Sequence, residues 1–278
     1  MTEPFGARLA AAVADRGPLC VGIDPHAGLL VAWGVGDSLD GLRRFTDAVV
    51  EALAASVAVL KPQVAFYERF GSRGVAVLEE AVAAARAAGA LVLLDAKRGD
   101  IGSTMAAYSD YLRADHPLRV DAMTVSPYLG PESLEPARSA ATEAGGGLFV
   151  LSRTSNPDAH ILQHAVVAGK RSVAQAVVDT VRSWNGADAA DGWAPSTGSF
   201  GVVVGATLRE LDVDLDGLGG PILAPGLGAQ GGSPADLRRL FGAHRAVLPT
   251  VSRDVLSAGP DAAALRAAAD RWATEPAG

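Results

Sequence analysis

Short apolar runs recur along the chain, at residues 19–23, 57–60, 90–94, 120–125, 147–151, 200–204, 221–224 and 246–250. Each is too short for a core helix and rich in Val, Leu, Ile or Ala, as a strand buried on both faces requires. Between them the apolar positions return with helical spacing, over residues 39–56, 67–88, 103–113, 132–143 and 170–184, from 207, from 233, and over 261–272. Gly71 and Gly74 interrupt the early part of the second of these helices, and Ser233-Pro234 supplies a cap followed by a first-turn proline. A further helix, residues 5–15, precedes the first strand. Residues 152–169 read as a long loop. Residues 185–199, rich in Gly, Ala and Asp, read as a surface loop.

Strand and helix thus alternate eight times, which implies parallel pairing. Eight such units in one chain predict an α/β fold of the (β/α)8 TIM barrel type with an extra N-terminal helix, residues 1–278 forming a single domain. A doubly wound open sheet is the alternative. In a barrel, function gathers where the strands end. The polar residues at those ends are Asp24, Lys61, Asp95, Lys97, Ser126, the 152–156 loop, Gln230 and Arg253. Residues 185–199 precede a strand, so they belong to the opposite face, where a functionally quiet segment is expected.

Composition narrows the partners. Hydrophobic residues make up 49% of the chain but aromatics only 5%, so Ala, Val and Leu fill the core. The formal charge is −7 and Lys and Arg form no run, which argues against nucleic acid or a membrane surface. A small anionic substrate then needs a locally positive pocket in an acidic protein. No apolar stretch approaches the ~20 residues of a membrane span, and the acid-bearing start lacks the apolar core of a signal peptide. The single Cys20 excludes an internal disulfide and a multi-cysteine metal cluster, and points to reducing cytoplasm. Inside a strand, it reads as a small buried hydrophobe. Among 24 basic residues only Lys61, Lys97 and Lys170 are lysines. Lys61 and Lys97 close apolar strands, and lysine, unlike arginine, can release a proton. Lys170 reads as a solvated helix start.

The stretch 91–108, LVLLDAKRGDIGSTMAAY, is the most informative. Strand alternation points Asp95 and Lys97 the same way, Asp100 follows in a turn, and Thr104 opens a helix. Two carboxylates around an ammonium at a strand tip are costly unless they pair or do chemistry. After the seventh strand comes Gly226-Leu-Gly228-Ala-Gln-Gly231, formally a dinucleotide fingerprint. That fingerprint opens a domain, however, and only one strand follows here. In a barrel a glycine loop at this place suits a monophosphate. Gly228, Gly231 and Gly232 would let backbone N–H groups approach it, Gln230 adds an amide, and Arg253 can fork two oxygens.

These elements resemble the orotidine 5′-phosphate decarboxylase family. The tip matches its D-x-K-x-x-D-I-x-x-T signature. Val21–Pro25 is similar to its first-strand V-G-I-D-P, and Leu60-Lys61-Pro62 to its second-strand lysine motif. Arg153-Thr-Ser-Asn-Pro157 resembles the loop whose serine contacts the pyrimidine, and P-G-x-G-A-Q-G-G with a later arginine resembles its phosphate elements. Ser126-Pro-Tyr-Leu-Gly130 and the long loop after the fifth strand are similar to its longer bacterial subgroup. Where the family usually has Gly-Arg, this chain has Ser252-Arg253.

The resemblance implies conversion of orotidine 5′-monophosphate to uridine 5′-monophosphate and CO2 in pyrimidine biosynthesis, with no cofactor and no metal. Lys97 would face the developing carbanion and donate its proton. Asp95 and Asp100 would hold that ammonium, and Lys61 would bridge Asp95 and a ribose hydroxyl. Asp24 and Thr104 would take ribose hydroxyls, Ser155 (or Thr154) the base, and Gln230 and Arg253 the phosphate. It further implies a homodimer in which Asp100, Ile101 and Thr104 enter the neighbouring site.

Other readings remain weaker. A Mg-dependent sugar-phosphate lyase of the hexulose-phosphate synthase type shares the D-x-K-x-x-D strand but needs an acid on strand two, where Lys61 stands. A Schiff-base aldolase needs a neutral amine, which two flanking carboxylates disfavour. A barrel that merely binds nucleotide would have no use for the full charge set. His160 and His164, four apart, lack a nearby third ligand for a metal. His26, His116 and His244 read as loop residues.

Overall fold

The computed structural model describes residues 3–167, 169–242 and 245–274; His244 lies outside them. The described residues form ten strands: β1 (Cys20–Ile23), β2 (Val59–Pro62), β3 (Leu91–Arg98), β4 (Ala122–Val125), β5 (Gly147–Arg153), β6 (Val166–Val167), β7 (Arg171–Ser172), β8 (Phe200–Val204), β9 (Ile222–Pro225) and β10 (Val247–Val251). Eight of them close a barrel in the order β1-β10-β9-β8-β5-β4-β3-β2, every pair parallel. This is the (β/α)8 barrel that the alternation of strand and helix predicts.

The helices pack outside because their apolar stripes meet the outward side chains of the strands. Leu42, Phe45, Val49 and Leu53 of the helix Leu39–Leu53 are all buried in one continuous layer with Leu60 and Val92. Each such side chain contributes about 1.5–3 kcal/mol on full burial. A second, smaller cluster fills the barrel itself, with Cys20, Val59, Leu93, Phe149, Val203, Leu223 and Leu248. The N-terminal helix, Phe5–Arg16, joins that inner cluster through Phe5, Leu9, Ala12 and Val13. Phe5 meets Phe149 edge-on at 6.1 Å, and Gly147 leaves it room, since a Cβ there would lie 2.3 Å from the Phe5 ring. The helix is tied down by Arg8, whose guanidinium donates to the buried Asp121 at 2.6 Å. It therefore plugs the end where the strands begin, and the open mouth lies at their C-terminal ends.

Residues 185–199 lie at the plugged end. Gly6 N–H donates to Ser199 Oγ at 3.1 Å, and Asp191 accepts from Gly217 and Gly219 N–H.

Three expectations need correction. No helix starts at Thr207: residues 205–221 are turns and coil, although they bury Ala206, Leu208, Val213, Leu215 and Leu218. The repeated Asp and Gly in LDVDLDGLGG oppose a helix, and neighbouring side chains satisfy the backbone instead. Gln175 bonds both N–H and C=O of Asp214, and Arg182 donates to the same carbonyl. The loop after β5 has structure of its own, a helical turn at His160–Gln163 and the antiparallel β6–β7 hairpin. Lys170, at φ +67°, precedes β7 and does not start the next helix. That helix is Val173–Asn185, capped by Ser172 Oγ accepting from Gln175 N–H.

Candidate active site

β3 ends in a bulge. Leu94 pairs with Met123 and Arg98 with Val125, so three residues, 95 to 97, face the single Thr124 of β4. Lys97 takes φ +48°, a left-handed conformation that a side chain adopts at a cost of about 1–2 kcal/mol. Asp95 and Lys97 do point the same way, as alternation predicts, but through this kink. Lys97 Nζ donates to Asp95 Oδ1 at 2.6 Å, and Lys61 Nζ, from the end of β2, donates to Asp95 Oδ2 at 2.9 Å.

Burial alone would push the Asp95 carboxyl up. The ammonium groups of Lys61 and Lys97 override it and hold the carboxyl well below the usual range. Lys61 is buried, which opposes its charge; Asp95, and beyond it Asp24, reverse the sign and raise it. Asp24, Lys61, Asp95 and Lys97 thus alternate in charge across β1, β2 and β3. The Lys97 side chain remains 46% exposed, so its ammonium is accessible from the mouth.

These four residues line a cavity of about 770 Å3 at the mouth, together with Gln230 and Arg253. That volume suits a mononucleotide-sized molecule. Two buried oxygens in its wall, Asp24 Oδ1 and Ser252 Oγ, have no hydrogen-bond partner among the described residues. Buried polar atoms without partners are uncommon, and such a pair suits a hydroxylated ligand. Arg253 forms no ion pair among the described residues and stands at the rim.

The glycine loop differs from expectation in one respect. The N–H groups of Gly228, Gly231 and Gly232 are already bonded to the carbonyls of Gly232, Gly228 and Gly226. They hold the loop's own turn and do not project at a ligand. The glycines are needed for shape: Gly228 has φ +66°, and a Cβ there would meet Asp254 Cβ at 2.8 Å. Gln230 and Arg253 carry the polar groups.

Not every predicted residue reaches this cavity. Asp100 Oδ1 accepts from Ile101 N–H at 2.8 Å, and Asp100, Ile101 and Thr104 stand outside the lining. Ile101 is 62% exposed. Ser155 is exposed and does not line the cavity; Thr154 does, with its hydroxyl donating to Asn156 Oδ1 at 2.7 Å and accepting from Gln163 Nε2 at 2.8 Å. Ser126 also falls outside, because β4 ends at Val125 and Thr124 is the last inward residue. His160 meets the Pro157 carbonyl and His164 pairs with Asp212.

Two residues at the charge array are absent from the sequence expectation. Gln63 Nε2 donates to Asp95 Oδ2 at 3.0 Å, and Thr124 Oγ1 donates to Asp95 Oδ1 at 2.9 Å. A polar residue at the inward position of an apolar strand was the available signal for Thr124. Gln63, following Pro62, carries no such signal.

Comparison with known proteins agrees with this geometry. The sequence pattern described as the orotidine 5′-phosphate decarboxylase / HUMPS family matches residues 17–268. An orotidine 5′-phosphate decarboxylase from Salinispora arenicola is 61% identical over 271 residues, covering 97% of this chain and 95% of the relative. The crystal structure of a Streptomyces avermitilis protein, 60% identical, superposes with a TM-score of 0.93 over 99% of this chain and 95% of that one. The OMP decarboxylase of Leishmania donovani, 33% identical, superposes with a TM-score of 0.72 over 98% and 97%. With the pattern spanning nearly all of the barrel and the relatives matching end to end, the chain belongs to the orotidine 5′-phosphate decarboxylase / HUMPS family.

Proposed function

We propose that this protein converts orotidine 5′-monophosphate to uridine 5′-monophosphate and CO2, the decarboxylation that yields the pyrimidine nucleotide. The observation that carries the reading is the alternating row of Asp24, Lys61, Asp95 and Lys97 at the mouth of the barrel. Breaking the bond between the ring and its carboxylate leaves an electron pair on a ring carbon that delocalises it poorly. An ammonium fixed beside that carbon stabilises the charge as it forms. Lys97 occupies that place, transfers a proton from Nζ to the carbon, and regains one from solvent. Asp95, held ionised, keeps Lys97 aimed and charged beforehand. Lys61 spans Asp95 and a ribose hydroxyl, and Asp24 takes another with its unpaired oxygen. Gln230 and Arg253 grip the phosphate, and Thr154 or Ser155 meets the base. Binding at the remote phosphate holds the reacting carbon over Lys97. Lys61 fills the space between Asp24 and Asp95 where a metal-dependent lyase would need a further acid.

Asp100, Ile101 and Thr104 stand beyond reach of their own cavity, on an exposed edge beside it. Two copies pairing at their mouths would place them in each other's sites, so the working unit is a homodimer. Its place of work is the cytoplasm, consistent with a buried free cysteine and with no described helix long and apolar enough to cross a membrane.

The test is loss of orotidylate ultraviolet absorbance on adding purified protein, with Lys97→Ala as the control. Turnover that survives in Lys97→Ala would refute the assignment of the proton donor. Mixing Lys97→Ala with Asp100→Ala subunits should recover part of the activity; verified mixed dimers without recovery would refute shared sites.

A further inference from the structure

Asp95 is the hub of the site, and its carboxylate is fully occupied. An ionised carboxylate offers about four acceptor positions. Oδ2 takes Lys61 Nζ and Gln63 Nε2; Oδ1 takes Lys97 Nζ and Thr124 Oγ1. Thr124 differs from the other three donors. Its hydroxyl also accepts from the Lys97 backbone N–H at 2.9 Å. One oxygen atom thus holds Lys97 at both ends: at its backbone directly, and at its ammonium through Asp95 Oδ1.

The bulge explains why such a tie is needed. With three β3 residues opposite one of β4, the regular ladder lapses here. Lys97 is left in a strained left-handed conformation, which persists only where the surroundings impose it. Thr124 is 1% exposed, so no solvent competes for its hydroxyl. Were the hydroxyl absent, Lys97 N–H would lose its partner and the strand could relax toward regular pairing. The Lys97 side chain would then swing with the backbone that carries it.

We propose that Thr124 is a positioning residue for proton delivery: its hydroxyl staples the β3 bulge and thereby sets where the Lys97 ammonium stands. The kinetic consequence rests on the decarboxylase reading above; the structural consequence does not.

The experiment has two arms. In the first, steady-state turnover of orotidine 5′-monophosphate is measured for the native protein, Thr124→Val and Thr124→Ser. Valine keeps the shape and loses the hydroxyl; kcat should fall about 100-fold, the scale of an ångström-sized misplacement, with KM little changed. Serine keeps the hydroxyl and should retain most of the rate. In the second, the protein is labelled with 15N at the lysine side chains. Only three lysines exist, so Lys61, Lys97 and Lys170 give three ammonium signals, assigned by single substitution. In Thr124→Val the Lys97 signal should move toward that of Lys170 and exchange faster with solvent, while Lys61 stays in place and reports an intact fold. If the valine protein does not fold, Thr124→Ala replaces it in both arms. A hydroxyl-free variant with native kcat, an unmoved Lys97 signal, or a serine variant as impaired as valine would each overturn the proposal. If the native protein leaves orotidylate untouched, the decarboxylase reading fails, and the lysine signals alone decide the role of Thr124.

Discussion

Replacing Asp95 by asparagine tests the electrostatic core of the site most directly. The change is nearly isosteric, yet it removes the charge that two ammonium groups share. Lys97 is half exposed, and water takes over much of its solvation, so it adds little to the penalty. Lys61 has no such outlet, since its side chain is 7% exposed. Burial is the largest influence on Lys61 and opposes its charge, and without Asp95 the more distant carboxylate of Asp24 is left to act against it, since the buried Cys20 thiol keeps its proton. Breaking a buried pair from one side costs about 3–5 kcal/mol. Lys61 can escape part of that by releasing its proton, which from an ordinary lysine pKa costs about 5 kcal/mol at pH 7 and so sets a ceiling. With Asp24 retained, the loss should be about 3 kcal/mol, or about 1 M in urea midpoint at a slope near 3 kcal/mol/M.

The pH dependence fixes the mechanism. A neutral Lys61 in the folded variant binds fewer protons than the same lysine unfolded, so the variant gains stability relative to the native protein as pH rises. The deficit should shrink from pH 7 to pH 9 by at most about 1.4 kcal/mol per unit. Urea titrations of both proteins at the two pH values provide the measurement. An unchanged midpoint, or a deficit that grows with pH, would refute the account of Lys61 as a charge held by Asp95.

Four further outcomes are expected. Arg253→Ala should raise KM for the nucleotide by about 10- to 100-fold, the worth of a charged hydrogen bond, while leaving the weak turnover of unphosphorylated orotidine unchanged in parallel assays. Native Cys20 should resist a disulfide reagent until the chain unfolds, because burial pushes its thiol up to about 12 against the pull of Lys61. Its proton is then retained when folded and released near pH ~8.5 when unfolded, so this stabilising contribution is complete below that pH and lost as pH rises toward 12; Cys20→Ala should flatten the alkaline fall in denaturation midpoint. Asp95 runs the other way: its lowered pKa stabilises above the unfolded value of about 3.9 and that support is lost as pH falls below it, which acid denaturation of the native and Asp95→Asn proteins should show as a shallower acid limb in the variant. Ser233→Ala removes the reciprocal cap with Asp236 and should cost about 1 kcal/mol by thermal melting with turnover unaffected.

The barrel was legible because its strands are doubly buried and read as unbroken apolar runs, and because Ser233-Pro234 marks a helix start chemically. The region after β8 misled because its apolar residues return at near-helical spacing while Asp and Gly prevent a helix from forming. Their burial is real, but side chains of the preceding helix secure the backbone. The β6–β7 hairpin pairs only two residues on each strand and leaves Val166 71% exposed, so it has almost no apolar pattern to read. At the site, Asp24, Lys61, Asp95 and Lys97 stood out as charges closing apolar strands. Thr124 did not, because a threonine is an ordinary strand residue until its neighbours are known. The bulge that gives it a role arises from pairing between two strands, and neither strand's sequence contains that information alone.

Barrel order adds a constraint that no single motif carries. Gln230 follows β9 and Arg253 follows β10; Asp24 follows β1, Lys61 lies on β2, Asp95 and Lys97 on β3, and Thr124 on β4. These six strands are consecutive neighbours around the closed sheet. On the proposed reading, phosphate, ribose and reacting carbon are met in that same sequence around the rim, so a ligand lying along the arc finds each group beside its own partner. The arc also shows why an acidic protein can take an anion. The net charge is −7, but Arg253 stands at one end of the arc and the half-exposed Lys97 near the other, while Asp95 is already bonded on every side. Field lines at close range follow the nearest unneutralised groups, and distant surface carboxylates are screened within about 10 Å at 0.1 M salt. On the proposed reading, the lysine that stays half exposed would be both the charge that meets the substrate carboxylate and the donor that replaces it with a proton.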